Sequence, residues 1–211
     1  MVDLMEPKIV IVHYSSTGNL YRLAEAMQSG AIAAGAEVRL RRVAELASPE
    51  AMAYNPKWVE HAAFAAVNVA LATLDDLAWA DGIALGTPTR FGGPAAQLKQ
   101  FLDQTGGLWA KGQLADKVVT AFTSASTTHG GLESTILATL NVAYHWGSII
   151  LPVGYTHAAF HARGNPYGAS HVAVNGSEPD EIAVAAANQQ GHRLATVARW
   201  AAAGRAGSPD V

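Results

Sequence analysis

Lys8-Ile9-Val10-Ile11-Val12-His13-Tyr14-Ser15-Ser16-Thr17-Gly18-Asn19-Leu20 is the stretch from which the rest of this chain is read. The apolar run over Lys8–His13 is a buried strand. It enters a loop of hydroxyls with one glycine, and then the helical spacing Leu20, Leu23, Met27, Ala31. A strand–loop–helix turn of this kind aims unpaired backbone N–H groups and the positive end of a helix dipole at one point. The Ser and Thr hydroxyls add donors, and Gly18 allows close backbone approach. The loop is therefore a phosphate cradle. It holds no Lys or Arg, which suits a monophosphate held by neutral donors better than a triphosphate undergoing transfer. Neither G-x-x-x-x-G-K-[ST] nor G-x-G-x-x-G is present in it.

Composition narrows the class. The chain has 211 residues, half of them apolar and 15% charged, which speaks for a compact fold and against disorder. It is read as a single domain over 1–211 with an ordered core over 8–203. A net charge of −3 offers no general attraction to nucleic acid or an anionic membrane. No cysteine is present, so disulfides, thiolate nucleophiles and thiolate metal sites are excluded. Neither a secretory leader nor an apolar run of bilayer length is visible, so a cytoplasmic protein without stable membrane insertion is expected.

Short apolar runs alternate with helical patterns along the chain. Strands are expected at 8–13, 37–41, 81–86, 117–123 and 148–153, with helices carrying Leu98, Phe101, Leu102 and Ile136, Leu140, Ala143 between them. A last helix is expected to start near Ser177–Asp180, capped by Ser177, with Ile182, Ala186, Leu194 and Val197 on the sheet. Residues 201–211 are expected to fray. Alternating β and α units of this length imply an α/β three-layer sandwich: a five-stranded parallel sheet with helices on both faces. A phosphate loop after the first strand favours the flavodoxin-like order 2-1-3-4-5, with the ligand past the carboxyl ends of the strands beside strand 1. Ser15–Leu20, Thr87–Gly93 and Thr123–Gly131 fall there together. Two segments, 47–79 and 154–176, are long excursions from this plan.

The second loop, Gly86-Thr87-Pro88-Thr89-Arg90-Phe91-Gly92-Gly93-Pro94, has an irregular backbone that can offer N–H and C=O groups to a flat heterocycle, with Phe91 covering it. An ordinary βα connection with an exposed Arg is the plainer alternative. The third loop, Thr123-Ser124-Ala125-Ser126-Thr127-Thr128-His129-Gly130-Gly131, carries small hydroxyls into a helix start and can stabilise negative charge on a ligand, or be only a solvated loop. His145 is either a proton donor at the rim of the site or a satisfied histidine at a helix end. Trp109 either walls an aromatic pocket or sits in the core. His157 and His161 have i,i+4 spacing but no carboxylate beside them, so no metal site is expected. No nucleophile elbow is visible, and a bound cofactor would carry the chemistry.

These segments resemble the WrbA family of flavodoxin-like NAD(P)H:quinone oxidoreductases. The likeness rests on Gly86–Gly92, on Phe101-Leu102-Asp103-Gln104-Thr105-Gly106-Gly107-Leu108-Trp109, on Gly130–Ile136, on His145 and on Pro166-Tyr167-Gly168-Ala169. It implies non-covalent FMN, with NADH or NADPH as co-substrate and quinones reduced by two electrons. By position it gives the FMN phosphate to Ser15, Ser16, Thr17, Gly18, Asn19 and Leu20, and the isoalloxazine to Pro88, Thr89, Arg90 and Phe91. Further flavin contacts fall to Ser124, Ala125, Ser126, Thr127, Thr128, Gly130 and Gly131. It also implies His145 at the flavin edge as the catalytic donor, and Trp109 with Thr17 lining the substrate pocket. The family is tetrameric, with neighbouring subunits completing each site. Family members often carry an aromatic residue where Thr17 stands and Asn where Gly93 stands. A one-electron flavodoxin-type carrier, a repressor-binding module and a flavin reductase of azo or nitro compounds are the competing expectations.

Overall fold

The computed structural model describes residues 6–207. β1 (Lys8–His13) leads through the hydroxyl loop into α1 (Asn19–Ala33), and β2 (Glu37–Arg42) returns. α2 (Pro49–Ala53), α3 (Pro56–Asn68) and α4 (Leu74–Trp79) precede β3 (Gly82–Arg90), which folds back as the short β4 (Gly93–Pro94). α5 (Ala96–Leu102) and α6 (Gly106–Ala110) lead to β5 (Val118–Ala125), and α7 (Leu132–Trp146) leads to β6 (Ile149–Ile150). α8 (Ala158–Arg163), β7 (Ser170–Val172) and α9 (Glu181–Gly207) follow. The parallel strands lie in the order β2-β1-β3-β5-β6, which is the expected order once the β4 hairpin is set aside. Along β1, Ile9 and Ile11 enter one core cluster with α1 and α9, while Val10 and Val12 enter the other with α4, α5 and α7. That alternation is the period-2 geometry of a strand covered on both faces.

The fifth strand departs from the expected single run over 148–153. β6 pairs only with Val118 and Val119, and Leu151 N–H still donates to Val119 O at 2.8 Å. Pro152 follows, has no N–H, and the chain leaves the sheet. It returns as β7, pairing in parallel with Thr123, Ser124 and Ala125 at the other end of β5. Between the two, Gly168 passes so close that a Cβ there would stand 2.1 Å from Ala121 O. Gln190 of α9 closes the gap. Its amide nitrogen donates to Thr120 Oγ1 at 2.7 Å and Ala121 O at 2.9 Å, and its oxygen accepts from Ala169 N–H at 2.7 Å.

Other boundaries also moved. β3 runs on to Arg90 and β5 to Ala125, so parts of the two ligand loops are strand. The segment 47–79 is mostly helical, its three helices capped by the side chains of Ser48, Asn55 and Thr73. The start of α9 is capped by Asp180 instead of Ser177: Asp180 Oδ1 accepts from Ala183 N–H at 2.8 Å. Ile182 is consequently exposed, and Ala183, Ala186, Ala187, Gln190, Leu194 and Ala198 form the buried face. Gly30 and Gly191 let α1 and α9 approach closely, since a Cβ at either would lie under 2 Å from a backbone oxygen of the facing helix. α9 continues to Gly207 through most of the stretch expected to fray; residues 208–211 lie outside the described residues.

The sheet edge at β2 is pinned by Asp76, which is almost fully buried at the start of α4. It completes a capping box with Thr73 and accepts from Arg39 at 3.1 Å and Arg41 at 3.0 Å. Burial alone would raise its pKa, but the Thr73 N–H, Arg41, the Thr73 hydroxyl and Arg39 together hold it below the usual value. A carboxyl whose folded pKa lies below its unfolded one stabilises the fold above the unfolded pKa, and that contribution is lost as pH falls through the folded value. Asp76→Asn is therefore expected to cost about 1–2 kcal/mol at pH 7, because Asn keeps the shape but loses charge-assisted bonds. In urea unfolding the gap from wild type should narrow as the pH falls from the free carboxyl value of 3.8 through the lower folded one.

Candidate functional site

The carboxyl ends of β1, β3 and β5 point the same way, so the three loops expected to bind a ligand converge. They enclose a cavity of about 560 Å³, within the ~300–1,000 Å³ range of small-molecule sites. Ser15, Ser16, Thr17, Asn19 and Leu20 line it from the first loop. Pro88, Thr89 and Arg90 come from the second, and Ser124, Ala125, Ser126 and Thr127 from the third.

The floor of the cradle is set by Gly18, the residue before α1. Its φ of +96° is left-handed, and no side chain caps the helix behind it. The first-turn N–H groups of α1 are thus left for another acceptor, with the helix dipole behind them. Ser15 Oγ accepts from Gly18 N–H at 3.1 Å and closes the loop on itself. A Cβ on Gly18 would lie 3.5 Å from His61 Nδ1, so α3 packs directly beneath the turn. His13, at the end of β1, is buried, and desolvation with nearby His61 pushes its pKa down to about 3. It is neutral and brings no charge to the cradle. The donor set is therefore hydroxyls, backbone N–H groups and a helix end, which fits a phosphate monoester.

The second and third loops are locked together by threonines. Thr123 Oγ1 donates to Thr87 O at 2.6 Å, and Thr87 Oγ1 accepts from Ala95 N–H at 2.9 Å. Thr135 Oγ1 donates to Thr89 Oγ1 at 2.6 Å, and Thr89 Oγ1 donates to Gly130 O at 3.2 Å. Gly131 packs so tightly on the second loop that a Cβ would sit 2.8 Å from Gly92 Cα. Between β3 and β4 the turn uses Phe91 at φ +52° and Gly92 at φ +80°, the pattern of a primed hairpin turn. A left-handed phenylalanine is strained, and its ring is fully exposed beside the cavity-lining Arg90. Behind the loops, Glu45 accepts from Tyr14, Trp58 and Gln97 at 2.9, 2.9 and 2.7 Å, tying the first loop, α3 and α5 to one carboxylate. Burial raises the Glu45 pKa, but these donors and the Ala47 N–H outweigh it and keep the group ionised.

Two expected site residues lie elsewhere in the chain. α7 starts at the loop cluster and carries His145 to its far end, about 20 Å away at 1.5 Å per residue. There His145 lines a separate cleft with Pro94, Leu102 and Thr139. Trp109, on α6, is exposed and lines no part of the loop cavity. Thr128, Gly130 and Gly131 border the cavity through the third loop and do not line it. Conversely, Asn55, Ala173, Asn175 and Gly176 line it unanticipated. Asn55-Pro56 reads as a break in the sequence, yet Asn before Pro at the first helical position is also a helix start. The wall from 173 to 176 follows β7, which no sequence signal marked. Among the described residues, no group of three His, Asp or Glu side chains could hold a metal ion.

The chain has relatives in both sequence and fold. The sequence model of the NADPH-dependent FMN reductase family matches residues 7–162. The chain is 43% identical over 198 residues to the NAD(P)H dehydrogenase (quinone) of Geobacter sulfurreducens, covering 90% of this chain and 97% of that one. It is 44% identical over 170 residues to the protein of the same name from Deinococcus radiodurans, covering 80% and 84%. Among solved structures, the flavodoxin, WrbA-like protein from Agrobacterium tumefaciens superposes with a TM-score of 0.66 at 25% identity, over 92% of this chain and 99% of that one. An archaeal flavodoxin shares the fold with a TM-score of 0.60 at 18% identity, over 91% and 99%.

Proposed function

From the fact that this chain belongs to the NADPH-dependent FMN reductase family, we propose that it is an FMN-dependent NAD(P)H:quinone oxidoreductase. NADH or NADPH and a proton reduce a quinone to the hydroquinone, leaving the oxidised nucleotide. The observation that carries this reading is the convergence of a neutral phosphate cradle and two threonine-locked loops on one cavity. Bound FMN supplies the hydride relay between the two substrates, which use the site in turn.

The chain's own groups bind and orient. Ser15–Leu20 hold the phosphate through hydroxyls, N–H groups and the α1 dipole. Pro88–Phe91 and Ser124–Thr127 present backbone and hydroxyl groups to the flavin, and their donors favour negative charge on its reduced form. Phe91, fully exposed beside Arg90, would flank an open side of the site, and Thr17, which lines both adjoining cavities, would border the space that substrates enter. His145 and Trp109 do not line the loop cavity of their own chain. We assign them to a homotetramer in which a neighbouring copy presents them to it, a reading supported by the exposure of both. No described helix is long and apolar enough to cross a membrane, and we place the enzyme in the cytoplasm with no nucleic-acid partner.

Anaerobic stopped-flow absorbance of FMN-loaded protein mixed with NADH tests the activity. The expected result is a single fast loss of the oxidised flavin band without an EPR signal, reversed by benzoquinone. Bound FMN that NADH cannot bleach would overturn the reading and favour a one-electron carrier.

A further inference from the structure

The cradle contains no cation between Ser15 and Asn19, yet a phosphate monoester brings up to two negative charges to it. A second cavity of about 630 Å³ adjoins the first and shares Thr17, Asn19 and Gly176 with it. Two basic side chains with long aliphatic stems line that second cavity, Arg22 and Lys57. Arg22 is already paired with Glu178 at 2.5 Å. The Lys57 ammonium has no hydrogen bond or ion pair among the described residues, although Glu25 and Glu60 line the same cavity. Its Nζ lies 4.0 Å from where a Cβ on Gly176 would stand, at the wall common to both cavities. Its backbone is held there: Asn55, on the rim of the first cavity, accepts from Lys57 N–H at 3.2 Å and caps α3.

We propose that Lys57 is the counter-ion of the phosphate monoester bound at Ser15–Asn19. The inference rests on the FMN reading and adds to it a charged contact from α3, outside the loop that forms the cradle. An exposed ammonium on a flexible stem can swing to a nearby anion with little rearrangement, and its attraction is screened by salt.

The test compares FMN with riboflavin, which lacks the phosphate, as ligands of the full-length apoprotein, by quenching of flavin fluorescence. Lys57→Gln is expected to raise the FMN Kd about fivefold, as for the loss of an exposed charge pair, and to leave the riboflavin Kd unchanged. Raising the salt concentration should weaken FMN binding to the wild type more than to the variant, and Lys57→Arg should restore most of the affinity. An unchanged FMN Kd, or an equal loss for both flavins, overturns the assignment. So does a rise in the KM for NADPH but not NADH with FMN affinity intact, which would give Lys57 to the nicotinamide nucleotide. If the wild type binds riboflavin and FMN equally weakly, the FMN reading itself fails, a result separate from any effect of the variant.

Discussion

Gln190→Met is expected to lower the stability of the apoprotein by about 2–5 kcal/mol, read as a fall in the urea midpoint. Met matches Gln closely in length and volume, so the loss comes from hydrogen bonding more than from a cavity. Gln190 is fully buried and serves two backbone groups that no strand reaches, the Ala169 N–H and the Ala121 carbonyl. Leaving a buried backbone group without a partner costs about 1–3 kcal/mol each. The damage should extend to the site, because β7 leads directly into Ala173, Asn175 and Gly176 on the cavity wall. FMN affinity should therefore fall along with stability. Gly204→Ala on the same helix, where an added Cβ meets nothing within 4 Å, is the control and should not lower the midpoint; helix propensity should raise stability by up to about 1 kcal/mol. A Gln190→Met midpoint within error of wild type would show that the gap in the sheet edge is bridged by other means.

The same gap shows where sequence reading runs out. Strands β1, β3 and β5 were legible because their apolar runs are buried on both faces and stand between glycine-marked turns. The order of the sheet followed from the phosphate loop after β1 and the handedness of crossovers. The broken fifth strand was not legible. Ile149 to Val153 reads as one apolar run, and the departure at Pro152 is compensated by a glutamine thirty-eight residues later in sequence. Pairings of that separation leave no local pattern. The site divided in the same way. Residues within the three loops converge because strand direction dictates it, whereas His145 and Trp109 rest on resemblance to a tetrameric family, and neither lines the loop cavity of its own chain. Ser177 and Asp180 are both good cap residues, and Asp180 takes the role, its Oδ1 accepting from Ala183 N–H.

Gly18→Val should weaken FMN binding by roughly ten- to a hundredfold, the largest effect expected of any single change in the cradle. The argument starts from the backbone. At φ +96° an L-residue pays about 1–2 kcal/mol or more, and a β-branched one is the worst placed. Space at the Cβ itself is not the obstacle, since it would sit at ordinary contact, 3.5 Å from His61 Nδ1. The two methyls beyond it have only the His61–Tyr21 ring contact or the cavity to enter. The loop relieves this strain by rotating toward negative φ, and that rotation swings the Ser15–Gly18 turn away from the common focus of the α1 N–H groups. A phosphate loses several donors together, because they act as one preorganised set. Two measurements separate this from simple unfolding. The urea midpoint of the apoprotein should drop only by the strain, about 1–2 kcal/mol, while riboflavin affinity falls far less than FMN affinity. If FMN binds the variant as it binds the wild type, the phosphate is held elsewhere and the left-handed turn before α1 is not its cradle.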